Sequence, residues 1–195
     1  MALIDKDDIN VELNKDDDNI DRDALLDALC DAVQSIFEDL SNRVLTSATF
    51  TEYHSCDRYC NKLFLKNYPI ASITTIHDDP DWDYASGSLI SSDDYTFNSL
   101  SGTVHYNGYF YQGSNSVKVV YIAGYSVTTL PKSIKETMIR QVSHWFEQAK
   151  NSSWAISSQT DPTGGSSIQA FTQLKDNLLP DFVLIASKYA RKVGV

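Results

Sequence analysis

Hydrophobic positions change their spacing several times along this chain, and those changes divide it into elements. Residues 1–20 are only patchily apolar, at Leu3, Ile4, Ile9, Val11 and Leu13, which fits a short helix or a loosely held arm. Asp21 is a residue type that caps helix N-termini, and Asp23 would place negative charge in the first turn, where the helix dipole favours it. Leu25, Leu29, Ala32, Ile36 and Leu40 then recur at three- and four-residue intervals. Leu26, Val33, Phe37 and Val44 widen that stripe, so 22–45 reads as a long amphipathic helix.

After that helix the period shortens. Segments 49–53, 62–67, 72–77, 95–97, 103–106 and 117–122 are rich in β-branched and aromatic residues and bounded by Asn, Asp, Gly, Ser or Pro. Asn107-Gly108 and Gly113-Ser114-Asn115 are turn signals, so 49–125 reads as five or six short antiparallel strands. Helices do not alternate with these strands, which argues against a parallel doubly wound sheet. Pro131 is placed to open a helix, and Ile134, Met138, Val142, Trp145, Phe146 and Ala149 carry its apolar stripe. Residues 151–167 hold six serines, two glycines and a proline, the composition of a flexible loop. Helical spacing resumes over 168–192, and Pro180 should end or kink it.

The expected class is therefore α+β, in the order arm, helix, β region, helix, loop, broken helix. The expected organisation is an acidic arm or short helix over 1–20 and a single core domain over 21–150. A Ser/Gly loop over 151–167 and a C-terminal broken helix and tail over 168–195 complete it.

Charge sharpens this picture. The 195 residues include 26 acidic and 16 basic side chains, a net charge of −10. Thirteen of the acids and only three of the bases fall in residues 1–40, so the whole excess sits in the first fifth of the chain. A block of this kind is ordinarily a solvated face or an arm. A chain of pI about 4.7 is poorly suited to gripping phosphate backbones, which requires clustered Lys and Arg. No apolar run reaches the length of a membrane span, and the N-terminal residues lack the pattern of a signal peptide, so a soluble, non-secreted protein without membrane partners is expected.

Candidate chemistry is sparse. Cys30, Cys56 and Cys60 cannot all pair within one chain and read as reduced thiols. His54, Cys56 and Cys60 have no second ligand pair at the spacing that zinc sites use. Asp79-Pro80-Asp81-Trp82-Asp83 imitates the opening of a calcium loop, but Tyr84 stands where the glycine belongs and Ile90 where the closing glutamate belongs. There is no strained nucleophile turn and no phosphate-cradling glycine loop. Neither a cofactor nor an enzymatic activity is expected. A calcium-dependent binding module built on residues 78–94 is the alternative from a different class, and a hydrolase using paired carboxylates a more distant one. Eleven tyrosines, six of them between Tyr95 and Tyr125, suit either sheet packing or a protein–protein surface.

Several strings, taken in order, resemble the head–tail connector (adaptor) proteins of tailed bacteriophages. They are the acidic start at 9–13 before the long helix, Phe50-Thr51-Glu52-Tyr53, and Leu63-Phe64-Leu65-Lys66-Asn67-Tyr68-Pro69-Ile70 with Ser72-Ile73. Ser92-Asp93-Asp94-Tyr95, then Val117-Lys118-Val119-Val120-Tyr121-Ile122-Ala123-Gly124-Tyr125 ahead of Leu130-Pro131, continue the series. Leu178-Leu179-Pro180-Asp181 through Tyr189-Ala190-Arg191 close it. The resemblance implies a bundle of long amphipathic helices carrying an antiparallel β insertion between the first long helix and the later ones.

It further implies a homo-oligomeric ring, of about twelve copies, beneath the portal vertex of the virion, made in the host cytoplasm. The ring would continue the DNA channel and present its far face to the next neck or tail protein. DNA would pass without specific binding, and Asp27, Asp31 and Glu38 are the candidate channel-lining residues. A C-terminal latch onto the portal protein would use Phe182, Ile185, Tyr189, Arg191, Lys192 and Val195. Another neck protein, a stopper or tail-completion factor, is the nearest alternative.

Overall fold

The computed structural model describes residues 3–13, 20–150 and 177–190. Among these residues are four α-helices, α1 (Lys6–Leu13), α2 (Ile20–Ser41), α3 (Lys132–Lys150) and α4 (Pro180–Lys188). Six strands lie between α2 and α3: β1 (Ala48–Cys56), β2 (Lys62–Phe64), β3 (Ile70–Asp78), β4 (Tyr95–Asn98), β5 (Thr103–Tyr106) and β6 (Gly113–Ala123). The chain divides into two compact units, a helical one drawn from 1–42 and 129–190, and a β unit that includes 43–128.

In the helical unit α2 buries Leu26, Leu29, Cys30, Val33 and Phe37, while α3 buries Ile134, Met138, Val142, Trp145 and Phe146. Phe182 and Ala186 of α4 complete this core, with the Phe182 ring edge-on to Phe37 at 5.5 Å. Buried Gln141 organises the entry to α4. Its amide nitrogen donates to the Asn177 carbonyl at 3.3 Å, and its oxygen accepts the Leu179 N–H at 2.8 Å, at a helix start whose own cap residue supplies no side-chain bond. Pro180 occupies the first turn, where its missing N–H costs nothing. Ion pairs of 2.6 Å from Lys6 to Asp23 and from Lys135 to Asp8 tie α1 to α2 and to α3.

A bundle of long helices, the architecture the family resemblance suggested, is not what forms. Only α2 and α3, with 22 and 19 residues, are long; α1 has 8 and α4 has 9. The β region is a unit with its own core, and the proline at 180 starts a two-turn helix. The α+β label still describes segregated helices and antiparallel sheets.

The β unit contains two three-stranded antiparallel sheets, in the orders β1-β6-β3 and β2-β5-β4. Along β6, Val117, Val119, Tyr121 and Ala123 point inward at alternate positions and join Ile70, Ile76, Leu63, Leu65, Val104 and Phe110 in one core. Its two ends are sealed together: the Tyr125 N–H donates to the Leu45 carbonyl at 2.6 Å, and the Ser47 N–H to the Tyr125 carbonyl at 2.9 Å. Gly124, at φ +107°, makes that seal possible, because a Cβ there would fall 2.6 Å from the Thr46 carbonyl oxygen.

Glu52 and Asp79 are the buried carboxylates of this unit. Glu52 of β1 accepts the Tyr121 hydroxyl of β6, and it also accepts the Lys66 N–H at 3.0 and 3.2 Å. His54 Nε2 lies 3.2 Å from its second oxygen. The Tyr121 hydroxyl in turn accepts the Asn67 N–H at 3.2 Å, and the Asn67 side chain accepts the Val44 N–H at 3.1 Å. Burial alone would raise the Glu52 carboxyl, but His54, the Tyr121 hydroxyl and the Lys66 N–H together hold it below the ordinary value of 4.5.

Two outcomes follow for stability. Tyr121→Phe leaves Glu52 short of a donor and the Asn67 N–H without its acceptor, and should cost about 1–3 kcal/mol in urea unfolding; an unchanged midpoint would refute the network's importance. Because the folded Glu52 value lies below the unfolded one, its contribution is present above pH 4.5 and is lost as pH falls through the depressed value. Unfolding followed from pH 7 to 3 should show that loss, and Glu52→Gln should flatten it.

Candidate functional site

The face of α2 turned away from the helical core is acidic. Asp27 and Asp31, one turn apart, are exposed, and Asp39 follows on the solvent side. Glu38 is half-buried, and its Oε1 accepts a 3.2 Å hydrogen bond from Gln34 Nε2. The three candidate channel-lining residues thus share one helix and differ in exposure. Asp27, Asp31 and Asp39 give that face a negative charge that repels phosphate, with exposed Ser35 between them.

The candidate latch residues separate on α4. Phe182 is fully buried and works as core; Ile185 and Tyr189 are half-buried, with the Tyr189 hydroxyl 3.3 Å from Ser133 Oγ. Arg191, Lys192 and Val195 lie outside the described residues, as does 151–167. The apolar side chains that α4 offers to solvent are Leu184, 69% exposed, and Val183. Neither was among the named candidate latch residues. Their place, opposite Phe182 and Ala186 on a helix starting at Pro180, was the available signal.

In the β unit Asp78 and Asp79 of the aspartate string are taken up by loop construction. The Asp79 carboxylate accepts the N–H groups of Asp81 and Tyr84, each at 2.9 Å, and Asp78 accepts the Tyr111 N–H at 3.0 and 3.1 Å. Burial raises the Asp78 carboxyl, the Tyr111 N–H opposes this, and the neighbouring Asp79 adds to the rise. Among the described residues no group of three or more His, Cys, Asp or Glu could hold a metal ion. Burial also raises the thiols of Cys56 and of Cys30, the latter to about 12 with nearby aspartates adding to the effect, so both stay protonated at neutral pH.

The β unit also carries aromatic side chains on its surface. Tyr53, Tyr59, Phe64, Trp82, Tyr109 and Tyr111 are each more than half exposed, and Tyr59 meets Tyr109 edge-on at 5.5 Å. Of the six tyrosines between 95 and 125, Tyr121 is buried and Tyr106 packs against Phe110 at 4.9 Å, whereas Tyr109 and Tyr111 face solvent. Exposed aromatics in such number are characteristic of protein contact surfaces. No described helix is long and apolar enough to cross a membrane.

Comparison with known proteins agrees with the head–tail connector resemblance. The model of a family described as head completion protein matches residues 9–189. Among solved structures, the neck of a native gene transfer agent particle, computed with C12 symmetry, is similar at 16% identity over 89% of this chain and 85% of that one, with a TM-score of 0.56. The neck of an empty gene transfer agent particle, computed with C6 symmetry, is similar at 12% identity, covering 89% and 81%, with a TM-score of 0.53. The virion of the native gene transfer agent particle gives 15%, 89% and 79%, and 0.53. At these identities the structures attest the fold. No curated protein matches the chain significantly.

The split on α4 is open to test by substitution. Phe182→Ala should destabilise the helical unit by about 3–5 kcal/mol, as loss of a buried aromatic ring does. Leu184→Asp should leave thermal unfolding within about 0.5 kcal/mol of the parent. Equal losses in the two variants would contradict the assignment of Phe182 to the core and Leu184 to the surface.

Proposed function

We propose a function on the premise that this chain belongs to the head completion protein family: it is a structural protein of the virion neck, at the junction where head is joined to tail. The match to that family over residues 9–189 is the observation that carries the reading. Copies form a homo-oligomeric ring at that junction, a reading supported by the fold shared with necks computed with C12 and C6 symmetry. The role is mechanical and non-enzymatic. About twelve copies surround a channel that continues the one through the portal, and the opposite face of the ring receives the next neck or tail protein.

Asp27, Asp31 and Glu38 line that channel. Their negative face favours passage of DNA over binding, since counterion release has no cation there to reward it. The latch to the portal comes from 182–195, with Leu184 and Val183 as its exposed apolar contacts, Ile185 and Tyr189 beside them, and Arg191, Lys192 and Val195 beyond. Phe182 supports the latch from the core.

Mass measurement of mixtures with the portal ring of the same virus tests the whole reading. Twelve copies of 21.8 kDa should add about 260 kDa in one discrete step; a protein that stays unassociated would refute it. Leu184→Asp should abolish that added mass while the monomer remains folded. Truncation after Leu179 is the poorer probe, because it also strips Phe182 from the core. Reversal of Asp27 and Asp31 to Lys should slow genome ejection, and unchanged ejection kinetics would remove those residues from the channel.

A further inference from the structure

Two aromatic residues of the β unit hold a backbone conformation that bulky side chains rarely adopt. Trp82 has φ +63° and Tyr84 has φ +47°, and facing them Asn115, at the start of β6, has φ +53°. The Asp79 carboxylate enforces the first two by gathering the Asp81 and Tyr84 N–H groups. The result is a groove of about 430 Å³ lined by Tyr53, Trp82, Tyr84, Ser114 and Asn115.

The polar tips of these rings are already spent. Trp82 Nε1 donates to the Ser114 carbonyl at 2.8 Å, and the Tyr84 hydroxyl donates to the Asn115 carbonyl at 2.7 Å. What the groove presents is therefore ring surface: Trp82 is 59% exposed, Tyr53 is 51% exposed, and Tyr53 and Tyr84 lie 5.6 Å apart at 53°. The Lys118 ammonium already sits 5.2 Å from the centre of the Tyr84 ring, so a cation resting on a ring is the local mode of contact.

Charge selects the occupant. The groove's loop carries four aspartates, at 78, 79, 81 and 83, against the single Lys118. Asp78 and Asp79 are committed to backbone N–H groups, whereas Asp81 and Asp83, the chain neighbours of groove-lining Trp82, are exposed. An aromatic floor with exposed carboxylates on either side of Trp82 in the chain suits a planar guanidinium, which stacks on rings and pairs with carboxylates, better than a compact ammonium. A neutral sugar would leave that charge unanswered.

We propose that the groove formed by Tyr53, Trp82, Tyr84, Ser114 and Asn115 is a docking site for an extended, arginine-bearing segment of another protein, its guanidinium stacked on Trp82 and paired with Asp81 or Asp83. Proline next to that arginine would hold the segment extended at low entropic cost and add apolar contact to the rings. The site is argued from the β unit alone, independently of the neck reading, and failure of either leaves the other standing.

The test uses the full chain and a ten-residue synthetic peptide of alternating Arg and Pro, with Glu replacing Arg in the control peptide, followed by calorimetry and by the Trp82 indole N–H resonance. The Arg peptide should bind and move that resonance while the Glu peptide does neither. Trp82→Ala should weaken binding at least tenfold. The double variant Asp81→Asn with Asp83→Asn, whose side chains support no part of the loop, should weaken it severalfold and flatten its salt dependence. That double variant decides the matter if Trp82→Ala fails to fold. Absence of binding at millimolar Arg peptide, equal binding of the Glu peptide, undiminished binding by the double variant, or displacement by a neutral oligosaccharide would each overturn the proposal.

Discussion

The β unit is organised around the Glu52 carboxylate. A buried carboxylate is costly unless its lone pairs are answered, and this one is answered from three separate stretches of chain. Tyr121 comes from β6, the Lys66 N–H from the link between β2 and β3, and His54 from its own strand. Glu52, Lys66 and Tyr121 sit in three of the strings that carry the resemblance to head–tail connectors, Phe50 to Tyr53, Leu63 to Ile70 and Val117 to Tyr125, and His54 directly follows the first. Those three strings are thus joined in one hydrogen-bonded assembly. Asn67 extends it to the Val44 N–H, where the chain enters the unit.

The helical unit solves a different problem with the same economy. Its α2 keeps one face for Leu26, Val33 and Phe37 and leaves the other to Asp27 and Asp31, so that packing and charge never compete for a position. In the β unit the exposed positions include many aromatic side chains alongside charged ones such as Asp81 and Asp83.

Much of this was legible in the sequence. All six strands lie where period-two runs of β-branched and aromatic residues stood, and α3 follows Pro131 as its stripe required. The stripe of α2 was read as broad, and its buried centre turned out to be Leu26, Cys30, Val33 and Phe37, with Leu40 at the solvent edge, because a stripe more than two residues wide does not reveal its midline. Asp21 falls one residue inside the helix it was expected to cap. Phe182 and Leu184 could not be told apart by hydrophobicity, since only the partner, Phe37, decides which faces inward. Glu52 was invisible for a related reason: its donors lie 14 and 69 residues away, and no local pattern announces a buried acid. The groove at Trp82 and Tyr84 depends on positive φ angles that neither residue type signals.

The seal between Leu45, Ser47 and Tyr125 changes what the chain must accomplish during folding. About ninety residues separate the end of α2 from the start of α3, and bringing two helices together across so long a free loop is slow and entropically unfavourable. Once the β unit has closed its own ends, the effective loop shrinks roughly tenfold, which on polymer grounds lowers the closure cost by about 2 kcal/mol. Gly124 permits that closure. The inserted unit is thus a built-in clasp: once folded, it turns a distant helix pair into a neighbouring one.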